Sequence, residues 1–257
     1  MKIKRIMSLN VNDFGGKTSH LMNYRYLNEN DKKYYIDWKA WAKIDKTKTW
    51  EKLKAYIEKK KPDLMFLEEM LVSRSESIDF IGDLEEMGYS YVDECLPKSG
   101  NYSLTMAFYK NGNSNPEYIN SPGSYRENRS VVCRYDDILI CGSHFPFDSD
   151  EVFLKHMSEY ADKNLNDDFL LIGDLNASDP EKANRKMVNE LLEKGAVDIW
   201  IAHGNKDTPT EARSRGRLDY AIASPSLANR IVTIDIDLST MNSGITDHAA
   251  VIVDIEI

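Results

Sequence analysis

The polar residues best able to carry out chemistry lie where the apolar runs of this sequence end. Strand ends along one rim of a sheet are common places for a functional site, because rigid strands hold the side chains in position. A single Asp at a strand end is a weak signal, since its side chain usually bonds the local backbone in a turn. The set comprises Asn10, Asn12, Glu68, Glu69, His144, Asp174, Asn176, Asp219, Asp247 and His248.

Taken together, these residues would make a workable catalyst of phosphoester hydrolysis. That reaction needs a hard cation on the phosphate oxygens, a base for water and donors for the developing charge. Glu69, Asp174 and Asp247 offer oxygen ligands suited to Mg²⁺, while the histidines and asparagines offer proton transfer and neutral donors. A serine nucleophile is disfavoured because GxSxG is absent, and zinc because HExxH and clustered cysteines are absent.

The elements that would position these residues alternate between strand and helix patterns. Roughly ten strands and three or four helices in mixed order predict two packed sheets with helices outside. The predicted strands lie at 3–11, 64–70, 89–93, 103–109, 129–134, 137–143, 169–173, 217–223, 231–238 and 249–256, and the predicted helices at 50–60, 77–87, 150–165 and 180–195.

Several local features of these elements can be predicted from capping and turn preferences. Ser77 is the expected N-cap of the second helix, and Asp179 with Pro180 the expected N-cap and first residue of the fourth. Tyr135-Asp136 is the expected hairpin turn. The third helix is expected to bury a stripe made of Val152, Phe153, Met157, Tyr160 and Ala161.

The charge of the chain is unevenly distributed. The 257 residues carry a formal net charge of −9, with 16 Lys/Arg against 7 Asp/Glu in residues 1–61 and 17 against 35 in the remainder. An acidic body of this kind opposes sequence-independent adhesion to nucleic acid, and it suits either solubility or carboxylates gathered around a divalent metal. No linker or repeat divides the sequence, so we expect one domain over residues 1–257.

The cysteines and the hydropathy pattern bear on location. Cys95, Cys133 and Cys141 have neither metal-ligand spacing nor an even count, so we expect buried thiols rather than disulfides. The apolar run near the N-terminus is interrupted by polar residues, unlike a signal peptide, and no run of 18 apolar residues predicts a membrane span. These features predict a cytoplasmic protein.

Seven segments, in order, resemble the motifs of the endonuclease/exonuclease/phosphatase superfamily, which includes deoxyribonuclease I and exonuclease III. The resemblance implies a four-layered α/β sandwich of two mixed, mainly antiparallel β-sheets flanked by helices, with the site on its rim and Mg²⁺ or Mn²⁺ as cofactor. The segments are SLNVN (8–12), DLMFLEEM (63–70), SLTMAFYK (103–110), GSHFP (142–146), IGDLNAS (172–178), RLDYAIAS (217–224) and TDHAAVIVDI (246–255).

The resemblance also implies a role for each matched residue. Glu69 would be the main metal ligand, with Asn10 supporting the metal or the phosphate and Asp247 beside the metal. Asp174 would orient or deprotonate the attacking water, and Asn176 would donate to the scissile phosphate. The remaining matches are His248, which would contact the phosphate with its tautomer held by Asp219, and His144, which would bind phosphate or protonate the leaving oxygen.

Two departures from the family pattern affect the site. Glu68-Glu69 stands where Gln-Glu is usual, so Glu68 either adds a negative charge or points elsewhere on the alternating strand. Asn12 stands where exonuclease III-like members often have aspartate, which weakens the case for a second metal contact.

Three functions remain open from the sequence. The first is a metal-dependent phosphodiesterase that cleaves DNA or another nucleic acid by in-line attack of water, and the second is a phosphatase or phosphodiesterase acting on a small phosphorylated molecule or a phospholipid headgroup. The third, less favoured, is a non-catalytic binding protein, since every expected site residue is present. No protein partner can be inferred.

If the substrate is a nucleic acid, basic residues offer candidate contacts to its phosphates. Lysines and aromatic residues interleave across residues 32–54, a combination found on surfaces that bind single-stranded nucleic acid, although a solvated helix face with buried tryptophans explains it equally. Further candidates near the rim are Arg126, Arg129, Arg213, Arg215 and Arg217.

Overall fold

A computed structural model describes residues 2–17, 40, 43–70, 78–92, 104–119, 127–147, 150–214 and 216–257. Twelve strands within these ranges form two six-stranded sheets. The strands are β1 (Ile3–Asn10), β2 (Leu64–Met70), β3 (Tyr89–Tyr91), β4 (Leu104–Lys110), β5 (Glu117–Ile119), β6 (Ser130–Tyr135), β7 (Ile138–Ser143), β8 (Phe169–Asp174), β9 (Val197–Asp198), β10 (Asp219–Ala223), β11 (Ile231–Asp237) and β12 (Ala250–Glu256).

The two sheets have similar pairing patterns. Sheet one has the strand order β11-β12-β1-β2-β4-β3, and sheet two has the order β5-β6-β7-β8-β10-β9. Within each sheet one central pair is parallel, β1 with β2 and β7 with β8, and the other pairs are antiparallel. A parallel pair needs a long crossover, and a helix lies in each of the two crossovers.

Within the described ranges, four longer helices cover the sheets. They are α1 (Lys46–Lys60), α2 (Phe80–Glu86), α3 (Glu151–Asn164) and α4 (Ala183–Glu193), and the described residues also form single turns α5 (Ile199–Ala202), α6 (Pro225–Ala228) and α7 (Ser239–Asn242). Trp50, Leu53 and Ile57 are the buried face of α1, as the spacing predicts.

Successive strand residues point alternately toward the other sheet and toward the helices outside. On β8, Leu170 and Ile172 face the other sheet, whereas Phe169 and Leu171 pack under α3 and α4. On β2, Phe66 faces the other sheet and its neighbours pack under α1 and α2. This period-two alternation gives the order helices, sheet, sheet, helices. The four-layered α/β sandwich is therefore confirmed.

Several predicted boundaries need correction. Helix α2 begins after Asp79, whose side chain accepts the N–H of Gly82, and Ser77 lies outside the described residues. The carboxylate of Asp179 bonds the N–H of Glu181 in a turn that precedes α4, so the predicted cap lies one turn too early. The hairpin turn is Asp136-Asp137, because Tyr135 still pairs with Ile138.

The predicted buried stripe of α3 needs correction, whereas the predicted burial of cysteine thiols is confirmed for the two that the structure describes. Val152 is 53% exposed and Leu154 is buried, so the apolar stripe of α3 is rotated relative to the predicted one. The thiols of Cys133 and Cys141 are buried as expected, and Cys95 lies outside the described residues.

In the part of the chain that the structure describes, no helix is both long and apolar enough to cross a membrane.

Candidate active site

The predicted site residues meet at one end of the seam between the two sheets. Asn10, the last residue of β1, donates from Nδ2 to Oδ2 of Asp174, the last residue of β8, at 3.0 Å. His248, just before β12, lies with Nδ1 3.0 Å from Oδ2 of Asp219, the first residue of β10. Each contact joins sheet one to sheet two, so the geometry of the site depends on how the sheets pack.

Unusual backbone conformations turn the chain at these strand ends. Asn12, Glu69 and Asn176 have φ values of 47°, 55° and 49°, in the left-handed region that non-glycine residues rarely adopt. Such conformations cost about 1–3 kcal/mol each and persist where the surrounding structure fixes them. Side-chain oxygens of Asn10 and Asp174 each accept an N–H two residues later, at 2.9 and 3.0 Å, which stabilises the turns.

The two glutamates at the end of β2 both reach the site, although they are neighbours on a strand. Alternation places Glu68 between the sheets, where it is fully buried and accepts the N–H of Asp174 at 3.0 Å. Alternation would place Glu69 on the opposite face, but its left-handed φ and the register shift between Leu67 and Met70 interrupt the pattern. Its Oε1 lies 3.5 Å from Nε2 of His144.

His248 is held as a cation by the surrounding carboxylates. Burial opposes its charge, but Asp219 and Asp174 raise the pKa of His248 well above its ordinary value. Nε2 lies 3.8 Å from Oδ2 of Asp174, on the opposite side of the ring from Asp219. A charged imidazole in this position can donate to a phosphate oxygen.

The surroundings of His144 favour its neutral form, in contrast to those of His248. Burial, together with the positive charges of Arg129 and His248, lowers the pKa of His144 well below its ordinary value. A guanidinium nitrogen of Arg129 lies 2.9 Å from Nδ1 and 3.2 Å from Nε2 of His144, and because a guanidinium only donates, a neutral ring accepts from it through its unprotonated nitrogen. Nε2 also lies 3.5 Å from Oε1 of Glu69 and 3.6 Å from Oδ2 of Asp174, beyond ordinary hydrogen-bond distance.

Two further carboxyl groups of the site are buried. Burial is the largest cause that raises the pKa of Asp174 to about 7 and that of Asp247 to about 6, and the charge of Glu69 adds to both. Arg213 offsets part of this charge, since it donates to Oδ2 of Asp247 at 2.9 Å and also pairs with Glu211.

The donor set fits a hard divalent cation. Carboxylate oxygens are the ligands that Mg²⁺ prefers, and the raised pKa values of Asp174 and Asp247 indicate buried negative charge that a cation would stabilise. Ligand atoms of Asp174, Asp219 and His248 lie within 4.8 Å of one another, although Asp219 and His248 already bond each other. Glu69 is the partly exposed carboxylate beside this group.

Some predicted residues have other partners. The amide nitrogen of Asn10 is bonded to Asp174, and Oδ2 of Asp247 is bonded to Arg213. Asn176 lies at the site, where Nδ2 donates to the carbonyl of Phe145 at 2.8 Å.

The candidate arginines divide into three groups. Arg129 and Arg213 contact site residues. Arg217 is instead fully buried against Asp198, with NH1 3.0 Å from Oδ1, and is a structural residue of sheet two. Arg126 and Arg215 lie outside the described residues.

The described part of the basic segment contributes to the fold. Lys46 pairs with Asp13, Lys54 lies 2.9 Å from Asp83, and Trp50 is buried. This arrangement favours the interpretation of α1 as an ordinary helix face. The aromatic residues at 34–41 and Lys32, Lys33 and Lys39 lie outside the described residues.

Sequence reasoning missed two residues that shape the site. Glu211 holds Arg213, and Ser8 donates to the buried carboxyl of Glu68. Ser8 lies two residues before Asn10 on β1, so period-two alternation could have placed it on the same face. Glu211 lies in an irregular segment, where the sequence carries no comparable signal.

Comparisons with known proteins agree with this geometry. The profile described as the Endonuclease/Exonuclease/phosphatase family matches residues 47–248, and the chain belongs to that family. Among curated protein sequences, none matches this chain.

Solved structures with the same fold include three proteins of low sequence identity. A 3′ phosphatase from Neisseria, bound to a product DNA hairpin, is 16% identical, with a TM-score of 0.70 over 99% of this chain and 100% of that one. An AP endonuclease from Archaeoglobus fulgidus is 17% identical, with a TM-score of 0.69 over 99% and 100% of the two chains. An AP endonuclease from Leishmania major is 17% identical, with a TM-score of 0.63 over 100% and 88%.

Proposed function

We propose that this protein is a metal-dependent phosphodiesterase that cleaves nucleic acid by in-line attack of water. The observation that carries the proposal is the convergence of Glu69, Asp174 and the His248–Asp219 pair at one seam. A binding protein without activity has no need for a buried cluster of carboxylates, whose burial is costly.

The cation would be Mg²⁺ or Mn²⁺, held mainly by Glu69 with Asn10 and Asp247 beside it. When bound, it would stabilise negative charge on the phosphate oxygens. Asp174 would accept a proton from the attacking water, a role suited to a carboxylate whose pKa is raised by burial. The amide of Asn10 orients this carboxylate at 3.0 Å.

The donors would act on the phosphate. His248, charged and held by Asp219, would stabilise the developing negative charge. Asn176 would donate to a phosphate oxygen. His144 would bind phosphate rather than protonate the leaving oxygen, because its lowered pKa disfavours the charged form that a general acid needs.

Nucleic acid is the favoured substrate class. The solved structures of the same fold include a 3′ phosphatase bound to a DNA hairpin and AP endonucleases, which supports a DNA-like substrate. The net charge of −9 favours a second candidate, a small phosphate ester, because an acidic surface repels a long polyanion.

Two further expectations belong to this proposal. Residues 1–257 would form one domain, which the pairing of the first strand, β1, with the last, β12, supports. A cytoplasmic location would suit the free buried thiols of Cys133 and Cys141.

The test is hydrolysis with Mg²⁺ or Mn²⁺ of plasmid, single-stranded DNA, RNA, inositol phosphates and bis-p-nitrophenyl phosphate. We expect turnover of a nucleic acid that falls at least about 100-fold in Asp174→Asn and Glu69→Gln, with unchanged circular dichroism. Asp235→Asn, an exposed acidic control on β11, should retain activity. Turnover confined to the small esters would favour the second candidate, and activity equal in wild type and Asp174→Asn would contradict the enzymatic proposal.

A further inference from the structure

Phe147 is the most exposed large hydrophobic side chain among the described residues. It is 71% exposed, although Phe145, two residues earlier, is fully buried. A phenylalanine ring in water contributes little to folding, because its apolar surface is not removed from solvent. The ring is therefore available to contact a ligand.

The loop that carries Phe147 is fixed to the candidate active site. The backbone N–H of Phe145 donates to the carbonyl of Asp174, and Nδ2 of Asn176 donates to the carbonyl of Phe145, both at 2.8 Å. Nδ2 of Asn184, on α4, donates to the carbonyl of Pro146 at 3.1 Å. The backbone that leads to the ring is thus anchored to Asp174 and Asn176 of the site and to α4.

The side chain of Lys182 lies against the ring of Phe147. Nζ of Lys182 lies 3.9 Å from the centroid of Phe147. Lys182 occupies the N-cap position of α4, makes no side-chain cap hydrogen bond, and is followed by exposed Lys186 in the first turn. The ammonium group beside the ring places a positive charge where the anionic backbone of a bound strand can contact it.

We propose that Phe147 and Lys182 form a stacking site for an unpaired nucleobase next to the scissile phosphate. An aromatic ring beside a cation is the combination that binds single-stranded nucleic acid, with the ring on the base and the cation on the backbone. A paired base inside a duplex is covered on both faces, so the ring can stack only on an unpaired or extruded base. The inference rests on the proposed function and narrows its substrate to single strands or unpaired ends.

The experiment measures binding in an Asp174→Asn background, which prevents cleavage. Fluorescence anisotropy gives Kd for a single-stranded DNA, for RNA of the same sequence, and for a strand of equal length and charge made only of abasic units. The variants are Phe147→Ala, Phe147→Trp and Lys182→Gln. Val152→Ala, at another exposed apolar side chain, is the matched control.

The two sets of variants distinguish the contribution of base stacking to binding from the electrostatic contribution. Phe147→Ala should weaken binding of the base-bearing strands by about 5- to 100-fold and leave the abasic strand unchanged, which is the effect of losing one stacked base. Phe147→Trp should restore binding, and Val152→Ala should have no effect. Lys182→Gln should weaken binding of all strands and reduce the salt dependence. A preference for DNA or for RNA would identify which nucleic acid supplies the base.

Two outcomes would overturn the inference and are distinguishable. If the parent binds the strands and Phe147→Ala binds them equally well, stacking on Phe147 is wrong while the proposed function stands. If the parent binds no strand and hydrolyses only small esters, the proposed function fails and this inference fails with it.

Discussion

Neighbouring carboxyl groups of the site differ in their surroundings, and those surroundings decide what each can do. Glu69 is partly exposed beside a neutral histidine, whereas Glu68, one residue earlier, is sealed between the sheets. Residue types and motif spacing were enough to predict Glu69, Asp174 and His248 as site residues. They could not predict that Glu68 also reaches Asp174, because the sequence left open whether Glu68 points into the site, and the contact forms only where the two sheets pack.

Glu68→Gln should leave the free energy of unfolding at neutral pH unchanged or raise it by about 1 kcal/mol. Burial, followed by the charge of Asp174, raises the pKa of Glu68 well above its ordinary value, so the neutral amide matches the form of Glu68 in the fold. Gln can still accept the N–H of Asp174 and donate to Ser8. Urea unfolding at pH 7 provides the measurement.

Glu68→Leu is the matched control for this substitution. It fills a similar volume but leaves the N–H of Asp174 without an acceptor, and it should cost about 1–3 kcal/mol. A Gln variant that is destabilised as much as the Leu variant would mean that Glu68 is ionised in the fold.

The elements of sheet one are connected by polar contacts as well as by the core. Tyr56 and Lys60 on α1 both reach Asp237 at the end of β11, at 2.9 and 2.7 Å. The apolar spacing of α1 predicted its existence and buried face, since burial follows from period alone. Its start at Lys46 was missed although Asp45 is a residue type favoured at N-caps, because the apolar spacing begins only at Trp50. Its contact with β11 was not predictable, because Asp237 carries no local signal of a partner so distant in the sequence.

Asp237→Asn should lower the free energy of unfolding by about 1–3 kcal/mol near pH 7. Burial opposes ionisation of Asp237, but Lys60, the N–H of Ser239 and the Tyr56 hydroxyl hold its pKa well below the ordinary 3.8. A depressed pKa contributes stability above the pKa of the unfolded state, and this contribution is lost as pH falls. The difference between wild type and variant should therefore stay constant above about pH 5 and shrink as pH falls below 3.8 toward about pH 2, measured by urea unfolding.

The control for this pH dependence is Asp235→Asn. Asp235 lies 3.6 Å from the same ammonium group but is 56% exposed, so its loss should cost less than about 0.5 kcal/mol. Equal costs for the two variants, or a cost at Asp237 that does not fall between about pH 5 and pH 2, would rule out the buried ion pair as the source of stability.

At the scale of the whole molecule, the geometry of the site depends on the distance between the two sheets. The four-layered architecture could be predicted from motif order and alternating elements, but a sequence does not state which side chains touch across the seam. Gly142 on β7 and Phe66 on β2 set that distance two residues before His144 and Glu68. A Cβ on Gly142 would lie 2.0 Å from Cδ1 of Phe66, so the ring rests directly on the backbone of β7.

Gly142→Ala should therefore lower the free energy of unfolding by about 1–3 kcal/mol, because the ring or the strand must move. It should also lower hydrolytic activity under conditions where the protein remains folded, since His144 and Glu69 would separate. Gly195→Ala, whose Cβ meets no atom within 4 Å although its φ is +104°, is the control for backbone strain without a clash, and it should keep activity. Phe66→Leu in the Gly142→Ala background should recover part of both losses, and a double-mutant cycle measures that coupling. Additive effects of the two substitutions would mean that this contact does not set the spacing of the sheets.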